Sequence, residues 1–310
     1  MAHYLVTGGA GFIGSNVVRQ LLQDQQKVRV FDNFLTGKRE NLTEIMPDID
    51  LIEGDLRNFD AVKQACQGID YILHIGALPS VPRSVADPIL SNDININGTL
   101  HVLEAARQQH IKRVVFSSSS SVYGDTPTLP KHEDMAFQPL SPYAAHKVSG
   151  ELYCRVYYNI YRLETVCLRY FNVFGPRQDP ASHYAAVVPK FIAALQQGKQ
   201  PVIYGDGNQS RDFTFIKNVV AANIAAAVAP EAAGEAINIA CGARITVNEL
   251  AQRIGFLLGK EVHPQYEPLR AGDVKHSLAD ISKAQRLLNY VPMTDIDFGL
   301  QQTIEFFTAR

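Results

Sequence analysis

Tyr143 and Lys147 stand four residues apart in "SPYAAHKVSGELYCRVYYNIY", a stretch whose pattern predicts one long helix, so the two share a face. A tyrosine with a pKa of ~10 is a poor base at neutral pH. A lysine ammonium beside it favours the phenolate and lowers that value. Upstream lies "FSSSSSVYG", five serines from Ser117 to Ser121. Such a run reads as a flexible linker in isolation. Here it follows the apolar "RVV", which predicts a buried strand, so the hydroxyls begin at a strand's C-terminal end. Ligands of open α/β sheets bind beyond those ends. A hydroxyl there can bond a substrate hydroxyl and help pass its proton to a tyrosinate.

A second constellation lies at the N-terminus. "VTGGAGFIGS" sets Gly8, Gly11 and Gly14 between a predicted strand and a predicted helix, with Phe12 and Ile13 opening that helix. Glycines there permit a tight turn and let the backbone and helix N-terminus approach a pyrophosphate. The spacing G-x-x-G-x-x-G is one residue longer than the usual dinucleotide fingerprint. Asp32 ends the next strand, where a carboxylate accepts from adenosine ribose hydroxyls and repels a 2′-phosphate, favouring NAD over NADP. Asn33 and Gly37 follow it towards the same cofactor. Asp55 in "EGDLRN", with the Leu56 backbone, is placed to meet the adenine. Backbone near Gly76 and Ala77 ends "LHIGA" beside the cofactor. A positively charged nicotinamide would add to Lys147 in stabilising the Tyr143 phenolate.

The elements that must position these groups alternate. "HYLVTG", "KVRVFDN", "DLIEGDL", "DYILHIGA" and "RVVFSSS" are apolar runs separated by amphipathic stretches, the pattern of βαβ units and a Rossmann-type doubly wound parallel sheet. Ser141 caps the long helix and Pro142 suits its first position. After about residue 175, loops rich in Gly, Pro, Asp and Arg take over. The predicted division is a cofactor domain over residues 1–170 and a smaller α/β substrate domain over 171–310, with segments near 212–240 returning to the first sheet. His74 reads as a satisfied strand-end histidine rather than a base, and His183 as a residue flanking the substrate. The net charge is −2, from 29 basic and 31 acidic side chains with no basic run, which argues against nucleic acid as a partner. The four cysteines are scattered without a C-x-x-C pair, so neither a metal site nor a disulfide framework is expected. No long apolar segment predicts membrane insertion, and the expected location is cytoplasmic.

Taken together, the glycine turn, Asp32, a serine ahead of "VYG", Y-x-x-x-K, "RYFNVFGPRQ" and "GDGNQSRDF" resemble the extended short-chain dehydrogenase/reductases. Within them the chain is most similar to nucleotide-sugar 4-epimerases, especially bacterial UDP-N-acetylglucosamine 4-epimerases. The resemblance implies an NAD-dependent isomerase that inverts C4 of a UDP-hexose through a 4-keto intermediate, UDP-GlcNAc/UDP-GalNAc first, with UDP-glucose/galactose or UDP-glucuronate as the alternative. It makes Ser119, four positions before the tyrosine of "VYG", the catalytic hydroxyl beside Tyr143 and Lys147, and gives Ser120 and Ser121 to substrate contact. Related 4,6-dehydratases carry Asp and Glu in those two places, so dehydration is not expected. It further implies that Arg211 and Arg270 clamp the UDP diphosphate, that Asp273 holds the uridine ribose, and that Asn172 holds a phosphate or sugar oxygen. Ala186 and Val188 would run beside the uracil, with Tyr204 near the nucleotide. Ser80, Ser84 and Gln178 look like the N-acetyl-accepting branch, although Pro79 stands where relatives tend to have glycine. Ser277 lies where relatives restricted to UDP-glucose have a tyrosine, so a serine leaves room for an N-acetyl group. Helices near residues 92–110 and 142–162 are expected to pair two copies as a homodimer.

Overall fold

The apolar runs of the first half form a parallel sheet in the computed structural model, which describes residues 1–180, 186–268, 274–292 and 295–309. The strands are β1 (His3–Thr7), β2 (Lys27–Asp32), β3 (Asp50–Glu53), β4 (Tyr71–His74), β5 (Arg113–Ser119) and β6 (Glu164–Tyr170). Short strands follow: β7 (Val173–Phe174), β8 (Val202–Tyr204), β9 (Ser210–Arg211) and β10 (Thr214–Phe215). Then come β11 (Ala236–Ile239), β12 (Ile245–Thr246) and β13 (Gln265–Glu267). Among the described residues the main sheet has seven strands in the order β11-β6-β5-β4-β1-β2-β3, every pair parallel. Strand order reverses around β1, which opens a crevice beyond the C-terminal ends of β1 and β4.

The helices of the first half are α1 (Phe12–Gln23), α2 (Phe59–Ala65), α3 (Val81–Ala86), α4 (Pro88–Asn92), α5 (Gly98–Gln108) and α6 (Pro142–Tyr161). Those of the second are α7 (Val187–Gln196), α8 (Ile216–Val228), α9 (Val247–Leu258), α10 (Ser282–Leu288) and α11 (Ile296–Thr308). Both faces of the sheet are covered, which is why its strands read as unbroken apolar runs. Neighbouring residues point to opposite cores: Leu5, Ile72 and Val114 enter one cluster, and Val6, Leu73 and Val115 the other.

The second half does not stand apart from the first. α8 packs on α1 and on β4, β5 and β6, and β11 adds the outer strand beside β6. Arg113, buried at the start of β5, pairs with Glu164 at 2.6 Å and donates to the Ala226 and Ala229 carbonyls at the end of α8. Among the described residues no helix is long and apolar enough to cross a membrane.

Candidate active site

At the crevice the chain encloses a cavity of about 710 Å³. Its lining runs from Gly8, Gly11, Phe12, Ile13 and Gly14 past Asp32 and Asp55 to Ser117, Ser118, Tyr143 and Lys147. The glycine turn and the Y-x-x-x-K pair, far apart in sequence, therefore share one space.

At the turn, Gly8 has φ +69°, and a Cβ on Gly14 would stand 2.1 Å from the Gly8 carbonyl oxygen. α1 starts after Gly11 with no side chain capping it, which leaves its N-terminus facing the cavity. Asp32 Oδ2 accepts the Ala10 N–H at 2.9 Å and Oδ1 the Phe34 N–H at 2.8 Å. Each oxygen keeps a second lone pair. Burial raises the Asp32 pKa, and these two backbone bonds oppose the rise. A loop with Gly37 closes over the turn, where a Cβ would meet Ala10 and Asp32 at 2.9 and 3.0 Å. Asp55 is gripped by Arg57, whose guanidinium holds its carboxyl well below the usual range, and it also accepts from Asn33 Nδ2 at 2.9 Å. Leu56 and Ala77 line the same cavity. An uncapped helix N-terminus, a close backbone cradle and a strand-end carboxylate fit a dinucleotide.

Ser141 caps α6 by accepting the Ala144 N–H at 3.2 Å, with Pro142 at the first position. This cap starts the helix so that Tyr143 and Lys147 face the cavity. Lys147 Nζ donates to the Ser117 carbonyl at 2.7 Å and lies 5.7 Å from the Tyr143 ring centroid. Burial pulls the Lys147 pKa down to about 8. Among protein groups alone, burial dominates at Tyr143 and pushes the phenol up to about 12, while Ser119 works the other way. Protein groups alone therefore leave the phenol protonated at neutral pH. The oxidised nicotinamide ring is the additional positive charge that would favour the phenolate.

Other expected residues are distributed unevenly. Ser80 lines the cavity with φ +151° and caps α3 by accepting the Arg83 N–H. Ser84, expected on the N-acetyl side, is fully buried, donates to the Val81 carbonyl at 2.7 Å and accepts the Tyr143 N–H at 3.0 Å. The Val188 side chain is in the hydrophobic core at 1% exposure, which leaves backbone to meet a ligand there. Gln178 and Ala186 line the cavity, and Gln178 Oε1 is buried without a hydrogen-bond partner. Ser120 and Ser121 begin a 3₁₀ turn over Ser120–Tyr123, and Ser121 Oγ is also buried and unpartnered. Asn172, Tyr204, Arg211 and Ser277 fall outside the lining of this cavity. Asn172 Nδ2 donates to the Asp212 carbonyl and reaches Ser277 Oγ at 3.5 Å. Arg211 donates to the Ser210 and Lys275 carbonyls. Arg270, Asp273 and His183 lie outside the described residues.

His74 is a satisfied core histidine. Its Nδ1 meets Thr7 Oγ1 at 2.8 Å and its Nε2 meets Thr99 Oγ1 at 3.0 Å. Burial, with Lys147 nearby, takes its pKa down to about 3, so it stays neutral. Sequence reasoning missed Arg83 and Arg177, which line the cavity, and the 3.0 Å Lys38–Asp179 ion pair at its edge. It also missed Glu151, although the signal was present: Glu151 follows Lys147 by the same four residues that separate Lys147 from Tyr143.

Comparison with known proteins gives the family. Residues 4–240 match the NAD dependent epimerase/dehydratase family. The chain is 38% identical over 310 residues to a UDP-glucose 4-epimerase of Mycolicibacterium smegmatis, covering 99% of this chain and 98% of the relative. It superposes with a TM-score of 0.95 on a UDP-N-acetylglucosamine 4-epimerase from Methanobrevibacter ruminantium M1 in complex with UDP-N-acetylmuramic acid, at 44% identity over 99% of this chain and 98% of that one. A UDP-glucuronic acid 4-epimerase from Bacillus cereus, solved with UDP-glucuronic acid and NAD, gives 0.92 at 33% identity with 99% of both chains covered. The glycine cradle, Asp32 and the Tyr143–Lys147 pair thus sit in a chain that belongs to the NAD-dependent epimerase/dehydratase family, within the extended short-chain dehydrogenase/reductases, and has the NAD-dependent nucleotide-sugar 4-epimerase activity of its relatives.

Proposed function

We propose that the chain inverts C4 of a UDP-hexose reversibly, with UDP-GlcNAc and UDP-GalNAc as its substrate pair. The observation that carries this reading is the Tyr143 phenol and Lys147 ammonium together in the cavity wall at the end of β5, with Lys147 Nζ held by the Ser117 carbonyl at 2.7 Å and hydroxyls rather than carboxylates following Ser119 at Ser120 and Ser121. Tyr143 takes the proton from the sugar O4, Ser119 orients that hydroxyl, and Lys147 holds positive charge beside the phenolate. Bound NAD supplies the hydride acceptor and donor for C4. The 4-keto sugar is reduced on its opposite face, and Tyr143 returns the proton. A dehydratase needs a carboxyl acid and a carboxylate base next to Ser119, and neither is present. Ser277 lies outside the cavity lining, 3.5 Å from Asn172, and it supports an N-acetyl group only through the resemblance, in which UDP-glucose enzymes carry a tyrosine at that place. The neighbour solved with UDP-N-acetylmuramic acid supports a site that takes N-acetylated sugars. A uronate substrate is the second reading, favoured by Arg83 in the cavity wall.

Incubating the purified protein with UDP-GlcNAc, UDP-glucose and UDP-glucuronate separately, without added NAD, tests this. NMR should show C4 inversion of UDP-GlcNAc with the greatest kcat/KM. Preference for UDP-glucuronate would replace the substrate, and a 4-keto-6-deoxy product would overturn the reaction.

We also propose that two copies pair through α6. Leu152, Val156 and Ile160 recur every four residues on its surface and are 47%, 42% and 67% exposed, with Val85 and Ile89 exposed on the adjoining α3 and α4. Light scattering at micromolar concentration should give twice the 34.3 kDa chain mass, and Val156→Glu should return one chain mass.

A further inference from the structure

Three consecutive serines each engage the helix that carries the catalytic pair. The Ser117 carbonyl accepts from Lys147 Nζ at 2.7 Å, the Ser118 hydroxyl donates to Glu151 Oε1, and Ser119 is the side chain that lowers the Tyr143 phenol's pKa against the rise from burial. Tyr143, Lys147 and Glu151 are spaced by four, so one face of α6 reads the end of β5 residue by residue. We propose that Glu151 is a positioning residue, whose carboxylate takes the Ser118 hydroxyl and sets the register of the β5 serines against Tyr143 and Lys147.

The carboxylate is itself fixed. Arg169 on β6 donates to it through Nε at 2.9 Å and Nη2 at 2.7 Å, and both side chains are almost fully buried. Arg169 Nη1 reaches the Tyr123 hydroxyl at 2.8 Å and the Glu133 carbonyl at 3.1 Å, which anchors the pair in the segment after the serines. One residue earlier on α6, Gly150 lets the helix lie against the strand, since a Cβ there would stand 2.4 Å from the Phe116 ring. Phe116 and Ser118 alternate onto the same face of β5, so Gly150 and Glu151 fix the depth and the register of one contact. Removing either partner of such a buried pair leaves an uncompensated charge, so Arg169 holds the Glu151 carboxylate in place whatever the pair adds to net stability.

The arrangement also bears on the charge of Lys147. Desolvation acts most strongly on it, opposed by Cys154 and Glu151 from α6 and Cys167 from β6, with His74 on β4 and His146 on α6 feeling its charge. Cys154 and Cys167 are thiols, so Glu151, one turn along α6 and paired with Arg169, is the carboxylate among the opposing groups. Catalysis needs Lys147 cationic, and that form is lost as pH rises through its pKa. Removing the Glu151 charge lowers that pKa and moves the loss to lower pH.

The test uses Ser118→Ala and Glu151→Gln in the full chain and rests on the 4-epimerase reading above. Ser118→Ala keeps the ion pair and removes only the tie; kcat should fall about tenfold with KM and NAD content unchanged. In Glu151→Gln the alkaline limb of the kcat–pH profile should move down by about one pH unit, whereas Ser118→Ala should leave that limb in place. Wild-type kcat in Ser118→Ala overturns the positioning role whether or not Glu151→Gln folds. An unmoved limb in Glu151→Gln overturns the charge effect. Should the wild type turn over none of the three UDP-sugars, the 4-epimerase reading fails by itself. Amide hydrogen exchange in Ser118→Ala then decides the register claim: faster exchange at residues 119–121 and 143–147, with α9 unchanged, supports it, and uniform exchange overturns it.

Discussion

Replacing Tyr143 by phenylalanine will lower kcat for C4 inversion by about 10²–10⁴-fold, the range a positioned acid–base group contributes, and leave NAD bound. The ring still packs where it did, so KM and cofactor content should stay near wild type. What disappears is the oxygen that exchanges a proton with the sugar O4. Neither neighbour can replace it. Ser119 is a neutral alcohol, too weakly basic to take a proton from a sugar hydroxyl unaided, and Lys147 is engaged with the Ser117 carbonyl. The pH profile should change in the same direction. In the wild type kcat rises with pH as the phenol, at about 12 with protein groups alone, is drawn down by positive charge towards the working range. It falls again as Lys147, at about 8, loses its proton. The residual rate of the phenylalanine variant should lack the ascending limb. A variant with more than a tenth of wild-type kcat would remove Tyr143 from the reaction and leave the cavity as a site for binding alone.

Much of this was legible in the sequence because the relevant interactions are local. The Ser141 cap, Pro142 and the four-residue step from Tyr143 to Lys147 are properties of one helix, and all stand in one stretch of sequence. The glycine turn and Asp32 are equally local, each read from a strand end and the residues just after it. The unread features depend on contacts between distant segments. Ser84 was given to the substrate side by the resemblance of Val81–Ser84 to the N-acetyl-accepting branch. Only the packing of α3 on α6 shows its hydroxyl held between the Val81 carbonyl and the Tyr143 N–H. Val188 belonged to a motif expected beside the uracil, yet α7 turns it into the core. Periodicity marks Val188 as apolar and does not say which apolar neighbour claims it. Glu151 shares a helix face with Tyr143 and Lys147, but its role rests on Ser118 and Arg169 from two other strands. The burial of Tyr143 was unread for a related reason. Adjacency to a lysine can be counted in sequence, whereas the burial that raises the phenol's pKa cannot.

Gly8→Ala should abolish retention of NAD through purification, with affinity lower by at least about 100-fold, whereas Gly68→Ala should retain it. The pair is informative because the two glycines share a backbone conformation, φ +69° and +70°. An alanine in the left-handed region costs about 1–2 kcal/mol at either position. At Gly68 nothing stands within 4 Å of an added Cβ, so that conformational cost is the whole effect and appears as a lower Tm. At Gly8 the same Cβ would stand 2.6 Å from the Gly76 Cα and 2.7 Å from its nitrogen. Those are backbone atoms, and they cannot rotate away as a side-chain tip could. Gly76 is held by its own N–H bond to Thr7 Oγ1 at 3.1 Å, which in turn meets His74. The ends of β1 and β4 would have to separate, and the crevice between them is where the dinucleotide lies. Cofactor content read from the absorbance of the denatured, deproteinised supernatant, alongside thermal unfolding, separates the two costs. Equal NAD content in the two variants would mean that the close approach of β1 and β4 does not shape the cofactor site. Loss of NAD from Gly8→Ala alone, at comparable Tm, would locate the effect in the gap between these two strand ends.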